Sequence, residues 1–86
     1  MRCAVIGGGA WGTALADLMA RSGHETWLWA REPDVVEHVE GAHVNPRFLP
    51  GVRLHQSLRA SGDMGAVLRG AAQGAADFKF AGLVGG

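Results

Sequence analysis

The sequence predicts an α/β fold in which βαβ units build a partial parallel sheet, and three observations support it. The apolar run Arg2–Ile6 has no helical periodicity and stops at three glycines, which is typical of a buried parallel strand. Residues 10–22 follow with apolar side chains at helical spacing, which predicts a helix. The aromatic, β-rich segment Glu25–Ala30 predicts a second strand, and Pro33 suits the first turn of a second helix.

The elements after the second helix are shorter. Residues 42–58 are expected to form a loop, because the Asn-Pro and Pro-Gly pairs within them are turn signals. A short third strand is expected around Leu58–Ala60. Ser61 or Asp63 is suited to cap a helix that follows this strand.

Length and charge exclude several classes of protein. A complete doubly wound domain needs about 150 residues, so a chain of 86 residues is expected to hold only part of one. The formal net charge is zero, which gives no basic surface for nucleic acid or an anionic membrane. Cys3 is the only cysteine, so no internal disulfide and no metal site are expected. The N-terminal apolar run is too short for a signal peptide or a membrane span, which predicts a cytoplasmic protein of undetermined oligomeric state.

A glycine motif follows the first predicted strand. Gly7, Gly9 and Gly12 have the G-x-G-x-x-G spacing of Rossmann-type dinucleotide sites, between a strand and a helix as that motif requires. The first glycine permits a tight turn, the second lets the backbone approach a pyrophosphate, and the third allows close packing of helix on strand. Ala10 and Trp11 supply the first free amides of the helix, where a phosphate is favoured. The alternative is a glycine-rich turn that binds nothing.

The end of the second predicted strand indicates which dinucleotide binds. NAD sites usually have a carboxylate there for the ribose hydroxyls, and this sequence has Ala30. Arg31 follows and is suited to pair with a 2′-phosphate, which favours NADP over NAD or a tolerance of both. Glu32 is an alternative acid, although Pro33 indicates that it belongs to the next helix. The alternative for Arg31 is a solvated surface cation.

Several blocks of the sequence resemble one family. The stretch Ala4–Ala16, with tryptophan before the third glycine and Gly-Thr-Ala-Leu-Ala after it, resembles the start of bacterial NAD(P)-dependent glycerol-3-phosphate dehydrogenases. The resemblance continues through Gly23–Glu25 and Leu28–Arg31. The block Asn45–Val52 looks like that family's loop after the second helix, and it is rarer among other Rossmann dehydrogenases.

The resemblance implies a function and a set of site residues. The family interconverts dihydroxyacetone phosphate and sn-glycerol 3-phosphate, which supplies the backbone for phospholipid synthesis. By position, Ala10 and Trp11 would contact the phosphates of the cofactor, and Arg31 would meet its adenosine end. Phe48 stands where the family commonly has tyrosine, near the cofactor. The alternative for Phe48 is ordinary loop packing.

The resemblance ends after Arg69, and this predicts two regions. Residues 1–69 are expected to be the N-terminal part of an NAD(P)-binding Rossmann domain, and residues 70–86 a divergent tail rich in alanine and glycine. A strand beginning near Ala76–Phe78 is expected to be interrupted by Lys79, where an apolar residue belongs. The family's catalytic lysines and helical substrate domain have no counterpart in this sequence. No catalytic residue is therefore assigned, and these residues alone are expected to be inactive.

Other functions stay open. A stand-alone dinucleotide-binding module fits the intact glycine motif. A non-functional truncated remnant, ended early by a frameshift or a premature stop, fits a sheet of three strands with an open edge and no covering layer. Sugar-nucleotide and hydroxyacid dehydrogenases begin similarly, but the block Asn45–Val52 argues against them.

Overall fold

The computed structural model describes residues 2–7, 9–72 and 78–82. Strands and helices alternate along these residues, with a two-stranded ribbon between α2 and β5. The elements are β1 Arg2–Ile6, α1 Ala10–Arg21, β2 Glu25–Trp29, α2 Pro33–Ala42, β3 Val44–Asn45, β4 Leu49–Arg53, β5 Arg59–Ser61, α3 Met64–Ala72 and β6 Phe78–Gly82. Among the described helices, none combines the length and the apolar character that crossing a membrane requires.

The main sheet is parallel, and β1 lies inside it. The strand order is β5-β2-β1-β6, and each neighbouring pair runs parallel. Ile6, the last residue of β1, is level with Trp29 of β2 and Gly82 of β6. The order therefore runs outward from β1 in both directions, as it does at the ligand-binding crevice of Rossmann sheets. The predicted α/β class with a partial Rossmann-type sheet is confirmed.

Helices cover both faces of this sheet. On one face Val5 and Leu28 pack with α1 and α2 in a buried cluster that also contains Val35. On the other face Ala4 packs against Val67 of α3. Because β1 is buried on both faces, its sequence is a continuous apolar run without alternation. The described sheet has four strands and helical layers, so the expectation of three strands without a covering layer was wrong.

The segment expected to be a loop forms a ribbon instead. β3 and β4 pair antiparallel across a turn at residues 46–48, with an irregular register between Val44 and Asn45. The Asn45-Pro46 turn signal was correct, whereas the Pro50-Gly51 pair lies inside β4 and forms no turn. Sequence reasoning missed β4 because it contains Pro50 and Gly51, and both residue types are depleted in strands. They are tolerated here because β4 pairs with one strand, β3. On its other side, residues need no hydrogen bond to a neighbouring strand.

Lys79 does not interrupt its strand. β6 runs through it, and its Cα lies level with Cys3 of β1. Parallel pairing uses backbone groups alone, so a charged residue does not remove the ladder. The other calls on the tail, for residues 73–77 and 83–86, lie outside the described residues.

Candidate functional site

The turn between β1 and α1 adopts a backbone that favours glycine. Gly7 has a φ of +128°, which side chains on L-residues rarely allow. Its N–H donates to the carbonyl oxygen of Trp29 at 2.9 Å, which fastens the turn to the end of β2. Gly9 then forms the N-cap of α1 in an extended conformation. The glycine motif therefore lies at the carboxyl edge of the parallel sheet.

Gly12 is required by the turn itself. A Cβ atom at this position would lie 1.8 Å from the carbonyl oxygen of Gly7 and 2.9 Å from its carbonyl carbon. Both atoms belong to the backbone of Gly7, so they cannot move aside by a change of side-chain rotamer. The sequence assigned Gly12 to helix–strand packing, and the structure specifies the contact as helix against turn.

The start of α1 has no side chain to cap it. Gly9 makes no capping hydrogen bond, and the first turn carries no acidic residue. At this end of the helix, the Thr13 N–H donates to the Gly9 carbonyl oxygen at 2.9 Å. The N–H groups of Ala10, Trp11 and Gly12 precede it, and such groups have no partner inside a helix. This end of α1 offers amide donors and the positive end of a helix dipole to an anion.

Trp11 does not contribute to the core. Its side chain is 84% exposed, and Ala10 beside it is also exposed. The other apolar residues at helical spacing in α1 differ in burial. Leu15 and Met19 pack on the core, whereas Leu18 is exposed. Trp11 is therefore accessible beside the free amides.

The residues that follow β2 are Ala30, which has no carboxylate, and Arg31, an exposed cation. Ala30 is fully buried, and its N–H donates to the Ser61 carbonyl oxygen at 3.2 Å. Arg31 is 78% exposed, and its Nη2 lies 3.6 Å from a carboxylate oxygen of Glu32, too far for a strong hydrogen bond. Glu32 forms the N-cap of α2, so it belongs to the next helix as the sequence indicated. Arg31 thus has freedom to reach a ligand anion.

Phe48 lies in the turn between β3 and β4 and packs partly on the main core cluster. Its N–H donates to Oδ1 of Asn45 at 3.3 Å. The guanidinium of Arg47 lies 5.5 Å from the centre of its ring and also pairs with Asp34 at 3.3 Å. The packing that the sequence gave as an alternative for Phe48 is therefore present, and the residue remains partly exposed.

Sequence reasoning missed Asn45 as part of this region. It entered only as half of a turn signal, yet it is fully buried and its Nδ2 donates to Oγ1 of Thr13 at 2.7 Å. The bond joins the ribbon to the first turn of α1. Its place at the head of the block Asn45–Val52 was the available signal.

A separate cleft lies at the opposite edge of the sheet, where β1, β2 and β5 begin. It has a volume of about 440 Å³ and includes three arginines. Each arginine holds a carboxylate: Arg2 with Glu25, Arg21 with Asp17, and Arg59 with Glu40. The hydrogen bond and the charge of Glu40 raise the pKa of Arg59 above its ordinary value. Since these charges neutralise one another, the cleft is not a strong anion site. Within the described ranges, no three histidine, cysteine or acidic side chains are grouped to hold a metal ion.

Comparisons with known proteins agree with this geometry. A family model described as the N-terminus of NAD-dependent glycerol-3-phosphate dehydrogenase matches residues 2–73. A glycerol-3-phosphate dehydrogenase [NAD(P)+] of Nitratidesulfovibrio vulgaris is 55% identical over 71 residues, which are 83% of this chain and 22% of that protein. One from Stenotrophomonas maltophilia is 54% identical over 71 residues, 83% of this chain and 21% of the relative.

Solved structures show the same likeness. The glycerol-3-phosphate dehydrogenase of Coxiella burnetii matches with a TM-score of 0.73 and 40% identity, over 81% of this chain and 22% of that one. The yeast enzyme from Saccharomyces cerevisiae matches with a TM-score of 0.73 and 26% identity, over 83% of this chain and 24% of that one. The chain spans about a fifth of the length of the curated relatives it matches. By its sequence and its fold, this chain belongs to the NAD-dependent glycerol-3-phosphate dehydrogenase family and corresponds to the N-terminal region of its members.

Proposed function

We propose that the carboxyl edge of the sheet binds the pyrophosphate of a nicotinamide dinucleotide. The uncapped start of α1 is the observation that carries this proposal. The amides of Ala10 and Trp11 donate to the phosphates, and Gly9 lets the backbone approach them without a side chain in between. Gly7 and Gly12 hold the turn in the shape that presents these amides.

The adenosine end of the dinucleotide lies beside the end of β2. Arg31 pairs there with a 2′-phosphate, so NADP is preferred to NAD. The exposure of Arg31 and the absence of a carboxylate at Ala30 support this preference. Phe48 contributes the exposed part of its ring near the cofactor, held by its partial burial against the core.

The reaction served is the interconversion of dihydroxyacetone phosphate and sn-glycerol 3-phosphate, a cytoplasmic step that supplies phospholipid synthesis. The similarity to glycerol-3-phosphate dehydrogenases of two bacteria supports the reaction. Because the chain spans only about a fifth of those relatives, residues 1–86 are proposed to bind the dinucleotide without turnover. In this proposal residues 1–69 are the binding region, and the division at residue 70 stays a prediction.

Two titrations and one assay test the proposal. The chain is titrated with NADPH and with NADH by isothermal calorimetry, and we expect saturable binding with the tighter constant for NADPH. The absence of binding for both at millimolar concentration would contradict the dinucleotide site. NADPH and dihydroxyacetone phosphate are then supplied together. Oxidation of NADPH that depends on the substrate would contradict the expected lack of turnover.

A further inference from the structure

We infer that Asn45 is a positioning residue, which fastens the turn that carries Phe48 to the first turn of α1. This inference rests on the proposed dinucleotide site. It adds a residue that touches no cofactor but sets where Phe48 lies relative to the pyrophosphate amides.

Both ends of the Asn45 amide are engaged. Nδ2 donates to Oγ1 of Thr13 at 2.7 Å, and Oδ1 accepts from the N–H of Phe48 at 3.3 Å. Asn45 and Thr13 are both fully buried, so water does not compete for the bond between them. A single rigid side chain therefore connects the helix to the turn.

The helix end of this connection lies close to the proposed phosphate site. The Thr13 N–H donates to the Gly9 carbonyl oxygen and closes the first turn of α1 at 2.9 Å. Thr13 thus lies two residues after Trp11, whose amide, with that of Ala10, we assign to the anion. Ala16 and Ala20, further along α1, are buried in the main core cluster, which fixes the helix independently of Asn45. The element that Asn45 positions is accordingly the turn.

The chemistry of Asn45 indicates that it orients the turn relative to α1 and does more than fill space. A buried amide is unfavourable unless its donors and acceptors are paired. An apolar residue would fill the same volume without that requirement, but it would not fix a direction. Asparagine supplies a donor toward α1 and an acceptor toward the turn, and each is used. Such a paired group specifies one arrangement of the two elements.

An ion pair also connects the turn to α2, and it is weaker than the buried bond of Asn45. Arg47 pairs with Asp34 at 3.3 Å, but these side chains are 54% and 45% exposed. Exposed ion pairs of this kind contribute little to a fixed geometry, because water and salt compete for them. The Asn45 amide is a buried connection between the turn and α1, and we infer that it sets the position of Phe48 together with the packing of that ring on the core.

Two substitutions at Thr13 test this role. Thr13→Val has nearly the same shape and removes the acceptor of the Asn45 bond, whereas Thr13→Ser keeps a hydroxyl. We expect Thr13→Val to raise the NADPH dissociation constant by about three- to tenfold, the usual effect of one buried hydrogen bond. Thr13→Ser is expected to stay within about twofold of the parent chain. Urea unfolding of each variant separates loss of affinity from loss of fold.

A double-mutant cycle with Phe48→Ala tests whether the bond between Asn45 and Thr13 acts by positioning Phe48 or by stabilising the fold in general. If the connection acts through Phe48, then Thr13→Val raises the dissociation constant in the parent chain but changes it little once the ring is absent. An equal factor in both backgrounds would overturn the inference. Asn45→Ala removes both bonds and gives the same test independently, should Thr13→Val fail to fold.

The failures of the two proposals are distinguishable. If the parent chain binds NADPH and neither Thr13→Val nor Asn45→Ala alters the affinity, the positioning role of Asn45 is wrong and the dinucleotide site stands. If the parent chain does not bind NADPH, the dinucleotide site is wrong and the role of Asn45 is lost with it.

Discussion

The carbonyl oxygen of Gly7 occupies the space that a side chain on Gly12 would need, with only 1.8 Å between that oxygen and a Cβ atom built on Gly12. One residue in the turn therefore determines the identity of another in the helix. The contact joins the backbone of the turn to the helix, so substitution is expected to affect both fold and binding.

Gly12→Ala is expected to raise the NADPH dissociation constant by about tenfold or more, because the turn must open and its amides lose their alignment. Isothermal calorimetry measures the constant. Gly41→Ala is the matched control, since Gly41 also lies in a helix and its Cβ would meet nothing within 4 Å. Equal affinities for the two variants would show that the Gly7–Gly12 contact does not shape the site.

Arg31→Ala is expected to weaken NADPH binding by about fivefold and to leave NADH binding nearly unchanged, because only NADPH carries the 2′-phosphate. The difference should shrink at high salt, since Arg31 is exposed. Arg69→Ala removes an arginine of similar exposure on α3 and serves as the control. A uniform loss for both dinucleotides would place Arg31 elsewhere than at the 2′-position.

Gly70→Ala is expected to destabilise the chain by about 1–3 kcal/mol through overpacking. A Cβ at Gly70 would lie 2.6 Å from Cε2 and 2.8 Å from Cζ2 of the Trp27 ring. The same ring packs against the core cluster of Ala4 and Val67, which limits its movement. Thermal unfolding followed by circular dichroism measures the change.

Gly65→Ala is the comparison within the same helix. Its Cβ would meet the flexible end of Arg69 at 2.9 Å, and that end can move. We expect no loss of stability there, and a gain of up to about 1 kcal/mol from helix propensity. A melting temperature that falls as much for Gly65→Ala as for Gly70→Ala would contradict the packing of α3 on Trp27.

Glu40→Ala is expected to lower the free energy of unfolding by about 0.5–1 kcal/mol, a range suited to an exposed ion pair. Glu40 accepts from the Arg59 side chain at 3.1 Å and from the Ala60 N–H at 3.1 Å, so it joins α2 to the edge strand β5. Urea unfolding measures the change. Glu37→Ala, an exposed glutamate on the same helix, is the control, and an equal effect of both would remove the assignment to the β5 contact.

The sequence predicted those parts of the fold in which one local pattern decides the structure. β1 and α1 were found because burial on both faces gives an apolar run and because glycines mark the turn. β4 and β6 were missed in part, since Pro50 and Lys79 oppose strand formation locally. Pairing overrides them: β6 pairs with the distant strand β1, and β4 pairs with β3 across the turn.

The site divides in the same way. The glycines follow from their spacing and from their place between a strand and a helix, whereas the reason for Gly12 needed the position of the Gly7 carbonyl. The role of Asn45 was missed because asparagine is common in turns, and the sequence does not distinguish that use from a buried amide that joins two elements. Its partner Thr13 lies far away in the sequence, and nothing in the local pattern joins them.

The place of β1 between β2 and β6 has a consequence for synthesis of the chain. Arg2–Ile6 is synthesised well before Phe78–Gly82, with which it pairs on one side. Contacts between such distant segments form slowly, because a long loop must close first. During that interval one edge of the most apolar strand is unpaired, and this is the period in which a nascent chain is most exposed to aggregation or to capture by a chaperone.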